Sequence, residues 1–165
     1  MRSLGVFFVA VTTSLIPSAC LPEAMPCPAI AQAPVVALTV AASYVPTVKA
    51  IHLKACQDGT CREADLELMP GSTAVDQGCE PSAGPDGTCS ATSSPDGTLT
   101  GMLMMDVLTE SRIDATATGS STAGMPLPER TLSFIPRAEY PYGERCGKFI
   151  TATVLLDADG LRQAG

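Results

Sequence analysis

The segment "VKAIHLKACQDGTCREADLEL", Val48 to Leu68, decides the fold class of this 165-residue chain. Two runs of alternating side chains flank Asp58-Gly59, a dipeptide that suits the positive φ angles of a two-residue type I′ turn. A hairpin built on this turn has only one register. The sequence therefore predicts two antiparallel strands joined at Asp58-Gly59.

The predicted register pairs side chains that attract each other or can bond. These pairs are Cys56–Cys61, Lys54–Glu63 and His52–Asp65 on one face, with Leu53–Ala64 and Ile51–Leu66 on the other. A loop one residue longer would place Lys54 opposite Arg62, a like-charge pair. The two cysteines fall at a non-hydrogen-bonded pair, where Cα atoms approach to about 4.5 Å, so a disulfide is expected. A metal pair is the alternative, but no second Cys or His pair accompanies it.

Alternating apolar residues predict further strands on both sides of the hairpin. The run "PVVALTVAASYV" places Val36, Leu38, Val40 and Ala42 on one face and is expected to end near Pro46. Later runs with the same character are "TLTGMLMMDVL", "SRIDATAT", "RTLSFIP" and "KFITATVLL". No segment shows a sustained helical period with a cap, so little helix is expected.

Between residues 69 and 97 the sequence favours turns. The tripeptide Pro-Asp-Gly occurs twice, in "AGPDGTCSAT" and in "SSPDGTLTGM", which predicts two tight turns between short strands. Cys79 and Cys89 bracket the first turn and are expected to pair. Elimination then leaves Cys27 and Cys146 as the last disulfide.

These strands predict an all-β domain, a two-layer antiparallel sandwich of about seven strands reinforced by disulfides. The arrangement resembles the small immunoglobulin-like domains of exported bacterial proteins over roughly residues 34–160. It lacks the core Trp of antibody domains, since the chain contains no tryptophan. The resemblance concerns architecture and implies no particular function.

The N-terminus has the features of a secretory signal. One positive charge at Arg2 precedes an apolar run from Leu4 to Ile16, which is too short to span a bilayer. Ser18-Ala19-Cys20 resembles the lipobox of bacterial lipoproteins, with Pro17 where that family usually has Leu. The resemblance implies cleavage before Cys20 and a diacylglycerol on its thiol. We expect a signal peptide over 1–19, a lipid-anchor Cys with a Pro/Ala-rich spacer over 20–33, and the β-sandwich over 34–165.

Cysteine parity favours this cleavage over two alternatives. Acylation of Cys20 leaves six cysteines, enough for three disulfides. Cleavage after Ala31, in Ala29-Ile30-Ala31, would give a soluble secreted form with five cysteines. In the other alternative no lipid is attached and Cys20 pairs with Cys27.

Composition argues against several functional classes. The net charge of −7 disfavours nucleic acid, which requires a basic surface. Hydrolases with a nucleophile normally need a His base, and the single histidine, His52, is predicted on the solvent face opposite Asp65. No nucleophile elbow, phosphate-binding loop or Cys-x-x-Cys pair is present. We expect no enzyme and no cofactor, and a small hydrolase is the least favoured alternative.

Two sequence features hint at metal binding. Met102 and Met104 share one strand face and Met105 lies on the other, and thioethers bind Cu(I), so a copper carrier is an alternative function. Packing in the core is the competing explanation for these methionines. The segment "LDADGL" superficially resembles a calcium loop but lacks its third acidic position and distal Glu, so it predicts an ordinary turn.

The segment "RAEYPYGERCGK", Arg137 to Lys148, is the candidate binding loop. Tyr140, Tyr142 and Arg145 lie there beside Cys146, and tyrosines give contact area at little entropic cost. Packing of the tyrosines over the end of the sandwich is the competing explanation. The sequence thus predicts an exported, lipid-anchored protein on the outer face of the cell membrane. Its expected role is a non-enzymatic binding or structural module with a protein or glycan partner at the cell surface.

Overall fold

The computed structural model describes residues 26–79 and 88–164. These residues form no α-helix, and none of their elements is a helix long and apolar enough to cross a membrane. Two short 3-10 turns occupy Val45–Thr47 and Glu144–Cys146. The ten strands are β1 Val35–Val40, β2 Val48–Gln57, β3 Thr60–Asp65, β4 Met69–Cys79, β5 Cys89–Met104, β6 Ile113–Ser121, β7 Arg130–Phe134, β8 Arg137–Glu139, β9 Phe149–Leu156 and β10 Leu161–Gln163.

The strands form two sheets that enclose one core. The larger sheet has the order β10-β9-β1-β5-β4, with β8 also on β9, and the smaller has the order β3-β2-β6-β7. The β1–β9 pair is parallel and the others are antiparallel. The predicted all-β, two-layer sandwich is confirmed, with more strands than the seven or so expected. The likeness to immunoglobulin domains remains a resemblance of architecture.

The core follows the predicted alternation. Val36, Leu38 and Val40 on β1 are fully buried, because this central strand has neighbours on both edges and the second sheet over its inner face. Ala42 was expected to continue this face, but it is exposed, since β1 ends at Val40 and the chain turns away. The buried side chains are almost all aliphatic, so the inner faces supply the hydrophobic stabilisation.

The hairpin has the predicted register throughout. Cys56 pairs with Cys61, and His52 Nδ1 lies 2.9 Å from Asp65 Oδ1. Lys54 Nζ lies 3.8 Å from Glu63 Oε2. All six residues of β3 are exposed, because β3 lies at the edge of the smaller sheet. Its side chains therefore add little buried apolar surface to the core.

The stretch expected to be rich in turns instead forms two long strands. β1 accompanies β5 only from Leu99 to Met104. Before that, residues 89–95 of β5 pair with residues 72–79 of β4, and this ribbon runs beyond the sandwich with almost every side chain exposed. A disulfide joins Cys79 to Cys89 at the far end. We call this two-stranded projection the arm.

The second Pro-Asp-Gly is a bulge and not a tight turn between strands, so that prediction was wrong. At the base of the arm, β4 contributes the single residue Gly71 where β5 contributes three, Asp96 to Thr98. Asp96 Oδ1 accepts hydrogen bonds from the backbone N (2.9 Å) and Oγ1 (2.7 Å) of Thr98, and Gly97 has φ +78°. The residues that would form a turn are therefore the extra residues of a β-bulge, and β5 continues as one strand on both sides of them. The first Pro-Asp-Gly lies outside the described residues.

Candidate functional site

All three expected disulfides are present. Cys27–Cys146, Cys56–Cys61 and Cys79–Cys89 are bonded, with Cα–Cα distances of 5.3, 4.0 and 3.9 Å. The first spans 119 residues and attaches the segment before β1 to the candidate binding loop. Cys20 and the expected signal peptide lie outside the described residues.

The segment before β1 is fastened to the sandwich at a second point. The Gln32 side chain accepts a hydrogen bond from Ile150 N at 2.8 Å and donates one to Ile150 O. Ile150 lies at the beginning of β9, just after the binding loop. We name this end of the sandwich, with Cys27–Cys146 and the loops 105–112 and 140–148, the Cys146 end.

The loop 105–112 is held at the Cys146 end by a buried glutamine. Gln57 Nε2 donates to Thr109 O (3.0 Å) and Ser111 O (2.7 Å), while its Oε1 accepts from Thr109 N at 3.0 Å. Lys148 of the binding loop contacts Glu110 across this end, and that hydrogen bond raises the pKa of the lysine. The two loops are therefore connected by an ion pair.

The two tyrosines of the candidate binding loop are neither buried nor fully exposed. Tyr140 is 48% exposed and Tyr142 is 44% exposed. The Tyr142 ring meets Phe149 edge-to-face, with centroids 6.0 Å apart, which fixes one side of the ring and leaves the other to solvent. An open cleft of about 420 Å³ lies beside it, lined by Pro26, Pro28, Pro141, Tyr142, Arg145 and Cys146.

Exposed apolar side chains concentrate at the Cys146 end. Besides the tyrosines, Ile30, Val107 and Ile135 are each more than half exposed. Strand register places Ile135 there, because it follows the end of β7, which pairs with the beginning of β6. Sequence reasoning identified the tyrosines but missed these three, since no local pattern marks an exposed apolar residue.

The methionines Met102 and Met104 are not core residues, so the packing explanation was wrong. Both are 58% exposed on the outer face of the larger sheet, while Met105 is buried. Met69 of β4 lies directly opposite Thr100 of β5. Opposite residues point to the same face of a sheet, so Met69 lies on the outer face with Met102 and Met104. Sequence reasoning missed Met69 because the register between β4 and β5 is set by the bulge.

The arm presents backbone edges in addition to side chains. No described strand pairs with the outer edge of β4, and residues 89–95 of β5 pair only with β4 within the described ranges. Its surface is mostly Ser, Thr, Ala and Gly, with Val75 exposed. Such edges can accept an added strand from another chain.

His52 occupies an open strand face. Its ring bonds to Asp65 on one side, and Thr118 of β6 pairs with it on the other. Among the described residues no hydroxyl hydrogen-bonds to the imidazole. The geometry therefore matches a surface cross-strand pair.

The last candidates for metal binding are clusters of ligating side chains and the segment "LDADGL". The described residues contain no group of three or more His, Cys, Asp or Glu side chains close enough to hold a metal ion. In "LDADGL", Asp157 Oδ1 accepts hydrogen bonds from the backbone N of Asp159 (2.9 Å) and Gly160 (3.0 Å), as expected for an ordinary turn. The Gly160 bond and the neighbouring Arg162 hold the pKa of Asp157 below its usual range.

Comparison with known proteins gives no relative. No family model, no curated protein and no solved structure matches this chain. Functional inference therefore depends on the geometry of the Cys146 end, the arm and the methionine face.

Proposed function

We propose that the protein is an exported, lipid-anchored binding module of the cell envelope, attached through Cys20 and carrying its binding element on the arm. The observation behind the proposal is that the arm and the Cys146 end lie at opposite ends of the sandwich. β1 begins beside the beginning of β9, at the Cys146 end, and its last residue, Val40, pairs with Leu99 at the base of the arm. An anchored chain would therefore hold the arm away from its attachment point.

The disulfides support export. Three disulfides in one small domain indicate an oxidising, extracellular environment. They also favour Cys20 over Ala31 as the cleavage point. Cleavage after Ala31 would remove Cys27 and leave Cys146 as an odd thiol.

The arm is the part of the described chain best suited to a protein partner. A two-stranded ribbon is marginal by itself, and this one extends from the core with no described strand on either outer edge. An extended segment of a partner would gain backbone hydrogen bonds along either edge, and the small side chains would not obstruct it. We therefore infer a protein partner that adds a strand to the arm.

The anchor is tested by intact mass. Protein from membrane fractions should begin at Cys20, carry added acyl mass and gain six protons on reduction. A soluble species beginning near Gln32 would reject the anchor.

The arm is tested by photo-crosslinking on whole cells. A photoreactive residue at Val75 should give a crosslinked band, whereas one at Met125 should not. Met125 is a matched control because it is exposed and lies at the same end of the sandwich, outside the arm. Equal crosslinking at the two positions would reject the arm as the binding element.

The outward methionines favour a second candidate function, a Cu(I) carrier. Met69, Met102 and Met104 present thioethers on one sheet face, and soft ligands select Cu(I). Titration with Cu(I) under reducing conditions should show binding that Met102→Leu/Met104→Leu abolishes. Identical titrations for the two proteins would remove this candidate.

A further inference from the structure

We propose that the Cys146 end lies directly on the lipid bilayer, with Tyr140 and Tyr142 at the level of the headgroups. This inference depends on the proposed anchor at Cys20. It goes beyond anchoring because it assigns a lipid surface, and an orientation, to the candidate binding loop.

The first argument is the short length of chain between the lipidated Cys20 and the sandwich. Residues 21–33 were expected to act as a spacer, but Cys27 is bonded to Cys146 and Gln32 is hydrogen-bonded to Ile150. Only the residues between Cys20 and Cys27 separate an acylated thiol from the sandwich. Even fully extended, that segment spans at most about 25 Å. The Cys146 end is therefore the part of the sandwich nearest the membrane.

The second argument is the chemistry of the side chains exposed at the Cys146 end. Five large apolar or aromatic side chains are exposed there: Ile30, Val107, Ile135, Tyr140 and Tyr142. A tyrosine has an apolar ring and a polar hydroxyl, so it is stable where hydrocarbon meets water. Exposed apolar side chains gathered beside an anchor would lose unfavourable contact with water when the bilayer covers them.

Charge is consistent with this orientation. The whole chain has 10 basic and 17 acidic side chains, an excess that an anionic membrane would repel. The Cys146 end is neutral by comparison. Segments 105–112 and 137–148 together hold four basic residues and four acidic ones, namely Arg112, Arg137, Arg145 and Lys148 against Asp106, Glu110, Glu139 and Glu144. The Cys146 end is thus less repelled than the rest of the surface.

A single tryptophan reports this contact, because the natural chain has none. Lipidated Tyr142→Trp protein is purified from membranes and reconstituted into vesicles with and without brominated phospholipids. The matched control is Val75→Trp, which places the reporter on the arm. We expect blue-shifted emission at position 142 and quenching of most of it by brominated lipid, with neither effect at position 75.

Two readouts separate the outcomes. If intact mass shows no acyl chain, the anchor fails and this inference fails with it. If the protein is acylated but position 142 is no more quenched than position 75, the orientation is wrong while the anchor stands. Tyr140→Trp replaces Tyr142→Trp if loss of the Phe149 contact prevents folding, and it must show the same quenching.

Discussion

Val40 and Leu99 form the last residue pair between β1 and β5, and β5 extends beyond that pair accompanied only by β4. This pair divides β5 into two parts with different surroundings. On one side β5 is a central strand of the larger sheet with Gly101 and Leu103 buried, and on the other it is half of an exposed ribbon. A single strand thus belongs both to the stable sandwich and to the arm that we propose as the binding element.

Removal of the disulfide at the far end of the arm should destabilise the arm alone. In Cys79→Ser/Cys89→Ser we expect faster protease cleavage within residues 72–97 and little change in Tm, because the arm contributes no side chain to the core. Limited proteolysis followed by mass spectrometry locates the cleavage sites. A large fall in Tm would contradict the separation of arm and sandwich.

The Cys27–Cys146 bond should contribute more stability than the hairpin bond. The chain-entropy treatment gives about 5 kcal/mol for a loop of 119 residues and about 2 kcal/mol for a loop of five. We therefore expect Cys27→Ser/Cys146→Ser to lower the free energy of unfolding more than Cys56→Ser/Cys61→Ser. Urea denaturation compares them. Equal losses would show that the segment before β1 is not held mainly by this bond.

Gln57 should be intolerant of substitution even by an apolar residue of similar size. Gln57→Leu would leave Thr109 N and two carbonyl oxygens without their partner, at a cost of about 1–3 kcal/mol. The matched control is Gln77→Leu on the exposed arm, which should change the free energy of unfolding by less than about 0.5 kcal/mol. If both variants unfold alike in urea, the network does not hold loop 105–112.

Gly71 should be required at the base of the arm because the bulge crowds it. A Cβ there would overlap Thr98 Oγ1 and lie 2.9 Å from Asp96 Oδ1. We expect Gly71→Ala to destabilise the protein by about 1–3 kcal/mol, as overpacking does. Thr98→Ala removes the nearest atom, so Gly71→Ala/Thr98→Ala should lose less stability than the sum of the single variants. If the loss of stability in the double variant equals the sum of the losses in the two single variants, measured by thermal denaturation, the proposed clash is rejected.

Acid should weaken the turn before β10. Hydrogen bonds from Gly160 and Asp159 and the charge of Arg162 lower the pKa of Asp157, so the folded state favours the ionised form. This contribution is complete above the unfolded pKa of about 3.9 and is lost as pH falls through the folded pKa. Asp157→Asn should therefore flatten the decline of Tm below about pH 4 and leave the curve above that pH parallel to the original. Asp159→Asn changes the charge of the same turn and should leave that slope as it is.

Local sequence was sufficient wherever a short-range pattern had only one physical solution. Asp58-Gly59 permits one turn, and the charge and cysteine pairs agree on one register, so the hairpin and its disulfide were predicted correctly. The alternation in β1 and β6 likewise identified the buried faces, because one side of each strand must meet the other sheet. Cys79–Cys89 was expected because the two cysteines bracket a turn sequence, and Cys27–Cys146 was then left by elimination.

Long-range packing decided the features on which function depends. The Ser/Thr/Gly-rich stretch around the second Pro-Asp-Gly has the composition of turns, yet pairing with β4 makes it a strand with a bulge at Gly71. Met102 and Met104 are apolar, yet the register with β1 directs them to solvent. Composition cannot reveal which face a neighbouring strand leaves uncovered.

The sequence alone determined the fold class, the hairpin register and the Cys56–Cys61 pair, because these depend on turn chemistry and on the two-residue period of a strand. Only the tertiary structure decided that the arm and the Cys146 end are opposite, and that the exposed apolar side chains gather at the latter. Those relationships arise from pairing between strands distant in sequence, such as the parallel β1–β9 pair. No local pattern specifies such a pair, since its energy comes from contacts made only when the whole sandwich closes.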